Sequence, residues 1–232
     1  MNFSHSINLA SAAATVICSL AIGQQATERE TRRQDDRQQV KAEASTDLLL
    51  TQYLAGKLIL MNYSTIHMSQ MARQHASSQE VQQFADKLAQ SHQQLNEELR
   101  NFAPQIAEMA TLKQGEQRTA AFRGATATSS SDDHHAEAAE LLSRILQCDR
   151  KATENYLKSS SQMLEQYDGQ EFDMGFLGFQ IGAHTWALAE LNAIEGTGDE
   201  QFQQIVEQAT STVKQNLQQA RKLAKQLEDD RR

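Results

Sequence analysis

Four polar side chains interrupt the apolar faces of four predicted helices, and two of them are histidines. Thr65, His92, His184 and Asn216 each stand between apolar residues at helical spacing. Each side chain therefore points toward the core if its helix buries that face. Imidazoles from two helices that meet in one layer could bind a metal ion or share a proton.

A structural role would explain the same four residues. Buried polar side chains in helix bundles often only hydrogen-bond a neighbour or fix the register of the helices. Two histidines are few ligands, because zinc takes three from the protein even in catalytic sites. A di-iron bundle needs inward glutamates and Glu-x-x-His pairs, and the sequence contains no such pair. His67, two residues beyond Thr65, faces away from that layer but could reach a helix flank as a further ligand.

Composition favours a helix bundle. The chain has 232 residues with Pro 1 and Gly 10, which is too few turn residues for a β-sandwich or barrel of this length. Aromatic residues are only 6%, so we expect a narrow core of Leu, Ala, Ile and Met. The formal net charge of −8 and the lack of an uninterrupted basic patch argue against nucleic acid as a partner.

An apolar run occupies residues 7–22. It is short for a membrane span, which needs about 20 residues, and is typical of a signal peptide. Small residues at Ala21 and Gly23 predict cleavage before Gln24, so residues 1–23 would be removed and the protein exported to the periplasm or secreted. The segment before the run lacks Lys and Arg, which leaves an uncleaved membrane anchor as the alternative.

Cys148 would be the one cysteine left after this cleavage, because Cys18 lies within the signal peptide. A lone cysteine forms no internal disulfide. We expect either a half-buried helix residue without a role or, in an oxidising compartment, a disulfide to another molecule.

The rest of the chain divides into a polar linker and one helical domain. Residues 24–46 are charged and show no apolar periodicity, whereas apolar residues recur at helical spacing over residues 47–230. Ser78 and Asp199 are expected to cap helices, and Pro104 is expected to interrupt one.

A predicted loop and a third apolar stripe follow the second helix. Residues 113–133 hold the polar tract ATATSSSDD and should form the loop. Trp186, two positions beyond His184, is expected to cover a seam between helices, with an interface anchor as the alternative. The third stripe consists of Leu141, Leu142, Ile145, Leu146, Cys148, Ala152, Tyr156, Met163 and Leu164.

Three stretches occur together in a recognisable order. They are residues 62–72 (NYSTIHMSQMA), residues 81–92 (VQQFADKLAQSH), and the run that begins FDMGF at Phe172 and reaches His184. Over about residues 50–228 the chain thereby resembles the domain-of-unknown-function family numbered 4142. Members of that family are secreted bacterial proteins regarded as ferritin-like helical bundles. The resemblance implies the same fold and compartment for this chain.

The family pattern also implies where a metal would bind. It places an acidic residue in the first helix and histidines in the second, third and last. His92 and His184 match this pattern, whereas Thr65 and Asn216 stand at the other two positions. Two positions have thus lost a metal-binding side chain, which argues against a ferroxidase-type activity.

These patterns predict an all-α protein: an up-and-down four-helix ferritin-like bundle with a long, partly helical insertion between the second and third core helices. We expect a non-enzymatic envelope scaffold or interaction protein that binds an unknown protein partner or itself, with no cofactor and no membrane span after signal cleavage. The alternative is a metal-binding or redox protein that holds one iron, zinc or manganese ion through His92 and His184. Thr65, His67 and Asn216 would then be candidates for further ligands.

Overall fold

The described part of the chain consists of α-helices and the turns between them. The structure, a computed structural model, describes residues 10–110 and 133–230, and helices are the only regular elements in these two ranges. The all-α prediction is therefore confirmed. The helices are α1 (Ala10–His75), α2 (Gln79–Phe102), α3 (Pro104–Ala110), α4 (Asp133–Leu164), α5 (Gly169–Ala193) and α6 (Glu200–Asp229).

The chain divides into two compact units, Met1–Thr46 and Asp47–Arg232. The signal peptide of residues 1–23 and the linker of residues 24–46 fall in the first unit, and both stay predictions. Residues 113–132 of the predicted loop lie outside the described residues, and its last residue, Asp133, begins α4. Within the described residues, no helix combines the length and the apolar character that crossing a membrane requires.

The helix ends in the second unit follow the predicted capping residues. Ser78 Oγ accepts a hydrogen bond from Val81 N at the start of α2, and Asp199 Oδ1 accepts one from Phe202 N (2.8 Å) at the start of α6. Pro104 begins α3 directly after α2 ends, because proline lacks the amide hydrogen that an internal helix position donates. These ends fix the register of the residues that α2 and α6 bring to the core.

The buried apolar side chains form two clusters, and polar residues lie between them along the helices. His92 stands between Leu88 and Leu95, which belong to different clusters, and His184 has the same position in α5. A polar layer therefore separates the two clusters. The Phe202 cluster includes Leu58, Leu95, Leu99, Leu191, Phe202, Ile205 and Val213, and the Phe172 cluster includes Met68, Phe84, Leu88, Phe172, Phe176, Leu177 and Ala220.

A buried carboxylate ties the start of α5 to the turn between α1 and α2. Asp173 is 0% exposed and accepts hydrogen bonds from Ser77 N (2.9 Å), Ser77 Oγ (2.6 Å) and Ser78 N (2.8 Å). The two amides belong to the turn, where no helix carbonyl is available to them. Hydrogen bonds to a carboxylate are about twice as strong as neutral ones, so this contact firmly fixes α5 against the turn.

Helix α4 buries a narrower face than the sequence predicted. Leu146 and Leu164 are buried, whereas Leu141 is 59% exposed. The predicted stripe combined residues from much of the helix circumference, and only part of that surface finds neighbours to pack on. Cys148 is exposed, so its predicted half-burial is wrong. The exposed members of the stripe are Leu141, Ile145, Cys148, Ala152, Tyr156 and Met163.

Candidate functional site

Side chains from four helices meet in the polar layer between the two clusters. His92 of α2 and His184 of α5 are 3% and 2% exposed, and their Nε2 atoms lie 3.4 Å apart. The rings are nearly perpendicular, at 84°. Asn216 Nδ2 of α6 lies 3.4 Å from His92 Nε2, and Thr65 of α1 lines the same cavity as both histidines. The structure thus brings together the polar residues that the sequence placed on inward faces.

The other ring nitrogens of the two histidines both face oxygen acceptors. His92 Nδ1 lies 2.8 Å from Asn62 Oδ1, and His184 Nδ1 lies 2.9 Å from the backbone oxygen of Gln180. Asn62 presents its oxygen because its Nδ2 donates to Asn96 Oδ1 (2.9 Å). With the Asn62 and Asn96 amides as placed, each Nδ1 donates the ring proton and each Nε2 lone pair points into the layer, but Asn96 Nδ2 is buried without a partner. With both amides turned, Asn96 Nδ2 gains an acceptor and the proton of His92 moves to Nε2, facing His184.

Burial keeps both rings neutral. Desolvation, followed by the charge of the neighbouring His184, lowers the pKa of His92 from 6.5 to about 3. Desolvation lowers the pKa of His184 to about 4, against the opposing effect of its hydrogen bond to Gln180. Near neutral pH each ring therefore carries one proton. When both protons are on Nδ1, the two Nε2 lone pairs face each other and only the Asn216 amide, 3.4 Å from His92 Nε2, stands beside them. Two acceptors in this arrangement repel each other and attract a cation.

Asn62 and Asn96 belong to the site, and sequence reasoning missed them. Both are buried. Asn62 stands three residues before Thr65, and Asn96 stands four residues after His92, so helical spacing places them on the same faces. The helical spacing of Asn62 and Asn96 was visible in the sequence. Spacing alone, however, cannot distinguish an asparagine that orients a histidine ring from a residue that faces the centre of the layer.

The buried polar region extends one helical turn toward the Phe172 cluster. The Gln180 side-chain amide and Ser69 Oγ are buried without a hydrogen-bond partner in the described part of the chain. Gln180 precedes His184 by four residues, and Ser69 follows Thr65 by four. Most buried polar groups in folded proteins are hydrogen-bonded, so this part of the bundle is unusually rich in unsatisfied groups.

A cavity of about 450 Å³ adjoins the polar layer. Leu95 and Leu99 of the Phe202 cluster line its inner part, and His92 and His184 line its polar end. Trp186 lines it as well and is 64% exposed. Trp186 thus lies at the exposed side of a cavity whose walls come from several helices, and its predicted place over a seam, with an interface anchor as the alternative, stays a prediction.

His67 does not join the two histidines. Its side chain is exposed, and its Nε2 lies 3.3 Å from Ser161 Oγ of α4. Across residues 10–110 and 133–230, no group of three or more His, Cys, Asp and Glu side chains could hold a metal ion. An ion in the polar layer would thus have two imidazole ligands, with the Thr65 hydroxyl beside the same cavity. Asn216 turns its Nδ2 toward His92, so its amide would have to rotate before the oxygen could bind an ion.

The two imidazoles are nevertheless spaced for one ion. Zinc–nitrogen bonds are about 2.0–2.1 Å, so two ligands at the tetrahedral angle lie about 3.3 Å apart. The observed distance between the Nε2 atoms is 3.4 Å. Each ring also donates its Nδ1 hydrogen to an oxygen, which is the usual arrangement of histidines that bind metals.

Comparison with known proteins identifies a family. A family model described as Domain of unknown function (DUF4142) matches residues 27–223. The matched range contains every residue of the polar layer and most of the chain. No curated protein and no solved structure matches the sequence.

Proposed function

Since the chain belongs to the DUF4142 family, whose description assigns no function, we propose a function from the geometry of the site. We propose that the protein binds one divalent metal ion between His92 and His184. The observation that carries this proposal is the pair of buried Nε2 atoms 3.4 Å apart, which can both offer a lone pair to one ion when the ring protons are on Nδ1. Imidazole nitrogen suits zinc and iron better than manganese, which favours oxygen ligands. Zinc, which also fits the spacing, is the ion we propose first.

The proposed binding converts a repulsive contact into two coordinate bonds. Without an ion, two acceptors face each other inside the bundle, where electrostatic forces are screened less than in water. The rings need little movement to bind, because Asn62 and Gln180 already hold their Nδ1 atoms. We expect moderate affinity, since only two imidazoles and neutral oxygens contribute and no carboxylate of residues 10–110 and 133–230 joins the histidines to balance the charge of the ion.

We further propose that α1, α2, α5 and α6 are the core helices of a ferritin-like four-helix bundle, with α3 and α4 in the insertion. The support is that each of these four helices contributes at least one residue to the polar layer. The apolar run of residues 7–22 supports export to the periplasm or the medium. We propose a binding role and assign no catalytic residue.

Zinc titration of the full chain, purified without a metal-binding tag, tests the proposal. Calorimetry should give about one equivalent of zinc. His184→Leu removes one of the two nitrogen ligands and should weaken binding roughly 100-fold. His67→Leu removes an exposed imidazole outside the layer and should leave binding unchanged. The proposal fails if the wild-type protein binds no zinc, or if both variants bind it as the wild type does.

A non-enzymatic scaffold or interaction protein is the second candidate, and the exposed apolar side of α4 favours it. Leu141, Tyr156 and Met163 are all about half exposed or more along α4, and exposed large apolar side chains can mark an interaction site. The partner would be an unknown protein or a second copy of the chain. Sedimentation of the wild type and of Leu141→Glu tests self-association: a dimer that the substitution dissociates supports it, and a monomer at every concentration excludes it.

A further inference from the structure

The cavity beside the polar layer has the size and lining of a small-molecule pocket. Its volume of about 450 Å³ falls within the roughly 300–1,000 Å³ typical of such sites. Buried side chains of the Phe202 cluster, among them Leu58, Leu99 and Ile205, form its apolar wall. The two imidazoles are the polar groups at one end. This combination favours an apolar molecule that carries one polar group.

The opening of the cavity lies where α5 lacks a side chain. Gly182 lines the cavity, and a Cβ atom at this position would have no heavy atom within 4 Å. Trp186 lies one turn further along α5, and Tyr156 of α4 lines the cavity too; all three residues are exposed. Glycine inside a helix is less stable than alanine, and here it leaves a path from solvent to the interior.

The polar end of the cavity lacks a negative charge. Asn62, Thr65, His92 and His184, which line this end, are uncharged near neutral pH, and no Asp or Glu side chain of the described ranges joins the histidines in a metal-binding group. A divalent ion held there by neutral ligands would gain from an anionic oxygen that completes its coordination. The cavity is the route by which such an oxygen could reach it.

We propose that the cavity binds a small apolar carboxylic acid. Its apolar part lies against the Phe202 cluster, and its carboxylate is a ligand of the ion between His92 and His184. The position of the carboxylate rests on the proposed metal function. The position of the apolar part does not, because the pocket and its opening exist independently of the ion.

The single tryptophan of the chain reports on this pocket, because Trp186 stands at its opening. Titration of the zinc-loaded full chain with decanoate should produce a saturable change in tryptophan fluorescence. Gly182→Leu places a side chain in the opening, where a Cβ meets nothing within 4 Å. It should reduce decanoate affinity roughly tenfold or more, since the apolar part of the ligand loses contacts.

Gly178→Leu is the matched control. Gly178 lies one turn earlier on α5 and a Cβ there also has no heavy atom within 4 Å, but the residue does not line the cavity. Its decanoate affinity should equal that of the wild type. Equal affinity in the wild type and in Gly182→Leu would overturn the proposed pocket.

Measurements with and without zinc separate this proposal from the proposed function. Removal of zinc should weaken decanoate binding about tenfold and should leave the binding of 1-decanol, which has no carboxylate, nearly unchanged. Equal decanoate affinity in the two states would overturn the placement of the carboxylate. If the wild type retains no zinc at all, the metal function fails, and the effect of Gly182→Leu on decanol binding still decides whether the pocket exists.

Discussion

Asp173 and the His92–His184 pair are both buried and polar. The Asp173 carboxylate has three hydrogen-bond donors within the protein, whereas the Nε2 atoms of the two histidines face each other. Asp173 accepts three hydrogen bonds from the turn between α1 and α2, from Ser77 and Ser78. The histidines have bonded Nδ1 atoms, yet their Nε2 atoms face each other across 3.4 Å, with the Asn216 amide 3.4 Å from one of them. Asp173 is fully hydrogen-bonded within the protein, whereas the two Nε2 atoms contact each other and share one long amide contact.

The difference distinguishes a structural polar group from a binding one. A buried acceptor whose donors are all present stabilises the fold, since its removal would leave those donors unpaired. Buried acceptors that face each other do not stabilise the fold by themselves, and proteins retain such groups mainly at functional sites. The following predictions test this contrast.

Asp173→Ala should have the largest effect. It leaves the Ser77 and Ser78 amides without their acceptor, so the free energy of unfolding should fall by about 4 kcal/mol, as measured by urea denaturation. Asp168→Ala is the control, because Asp168 is exposed and its side chain makes no capping hydrogen bond; we expect a change below about 0.5 kcal/mol. A loss below about 1 kcal/mol for Asp173→Ala would refute the structural role.

Acid should destabilise the metal-free protein through the two histidines. Their pKa values are lowered to about 3 and about 4 in the folded chain, so the unfolded chain binds protons first. The stability is complete above about pH 6.5 and is lost as the pH falls toward the folded pKa values. Between about pH 6 and pH 5, each ring should remove roughly 1 kcal/mol of unfolding free energy.

Urea denaturation in EDTA at the two pH values measures this loss. The control is the double variant His92→Leu/His184→Leu, which retains all carboxylates and should lose about 2 kcal/mol less than the wild type over this range. The same pH dependence in both proteins would mean that the rings are not held neutral.

Asn216→His should strengthen metal binding. Asn216 already lies within 3.4 Å of His92 Nε2, so a histidine there can supply a third imidazole, and zinc affinity should rise at least about tenfold. Gln215→His adds an exposed imidazole on the neighbouring surface of α6 and should not change the affinity. If both variants bind zinc as the wild type does, the layer is not a metal site.

His184→Leu should have the smallest effect on stability. Leucine removes the contact between the lone pairs, and the backbone oxygen of Gln180 keeps its helix hydrogen bond. The metal-free variant should therefore be as stable as the wild type, or up to about 1 kcal/mol more stable. His92→Leu leaves Asn62 Oδ1 without its donor and should lose about 1–2 kcal/mol. A loss above about 2 kcal/mol for His184→Leu would indicate that the pair is structural.

The sequence predicted the polar layer because its residues interrupt apolar stripes. Spacing of three and four placed Thr65, His92, His184 and Asn216 on the inward faces of their helices. Residues on inward faces of different helices can meet in one layer of the bundle. The order of the helices, the caps at Ser78 and Asp199, and the family were also predictable. Local periodicity suffices for these features, since each depends on residues close together in the chain.

The remaining features depend on packing between distant residues. Asp173 and Ser77 lie 96 positions apart, and no local pattern pairs them. The ring orientations of His92 and His184 follow from Asn62 and a backbone oxygen, which only the folded chain brings into place. The exposed side of α4 was missed for the same reason, because apolar spacing predicts a stripe and the neighbouring helices decide how much of it is buried.

Zinc-edge X-ray absorption of the zinc-loaded full chain tests the central claim most directly, because it counts imidazole ligands at the ion. We predict two imidazole nitrogens at about 2.0 Å, with the remaining ligands being oxygen atoms. A spectrum with no imidazole, or with three or four, would contradict the assignment of His92 and His184 as the metal-binding pair.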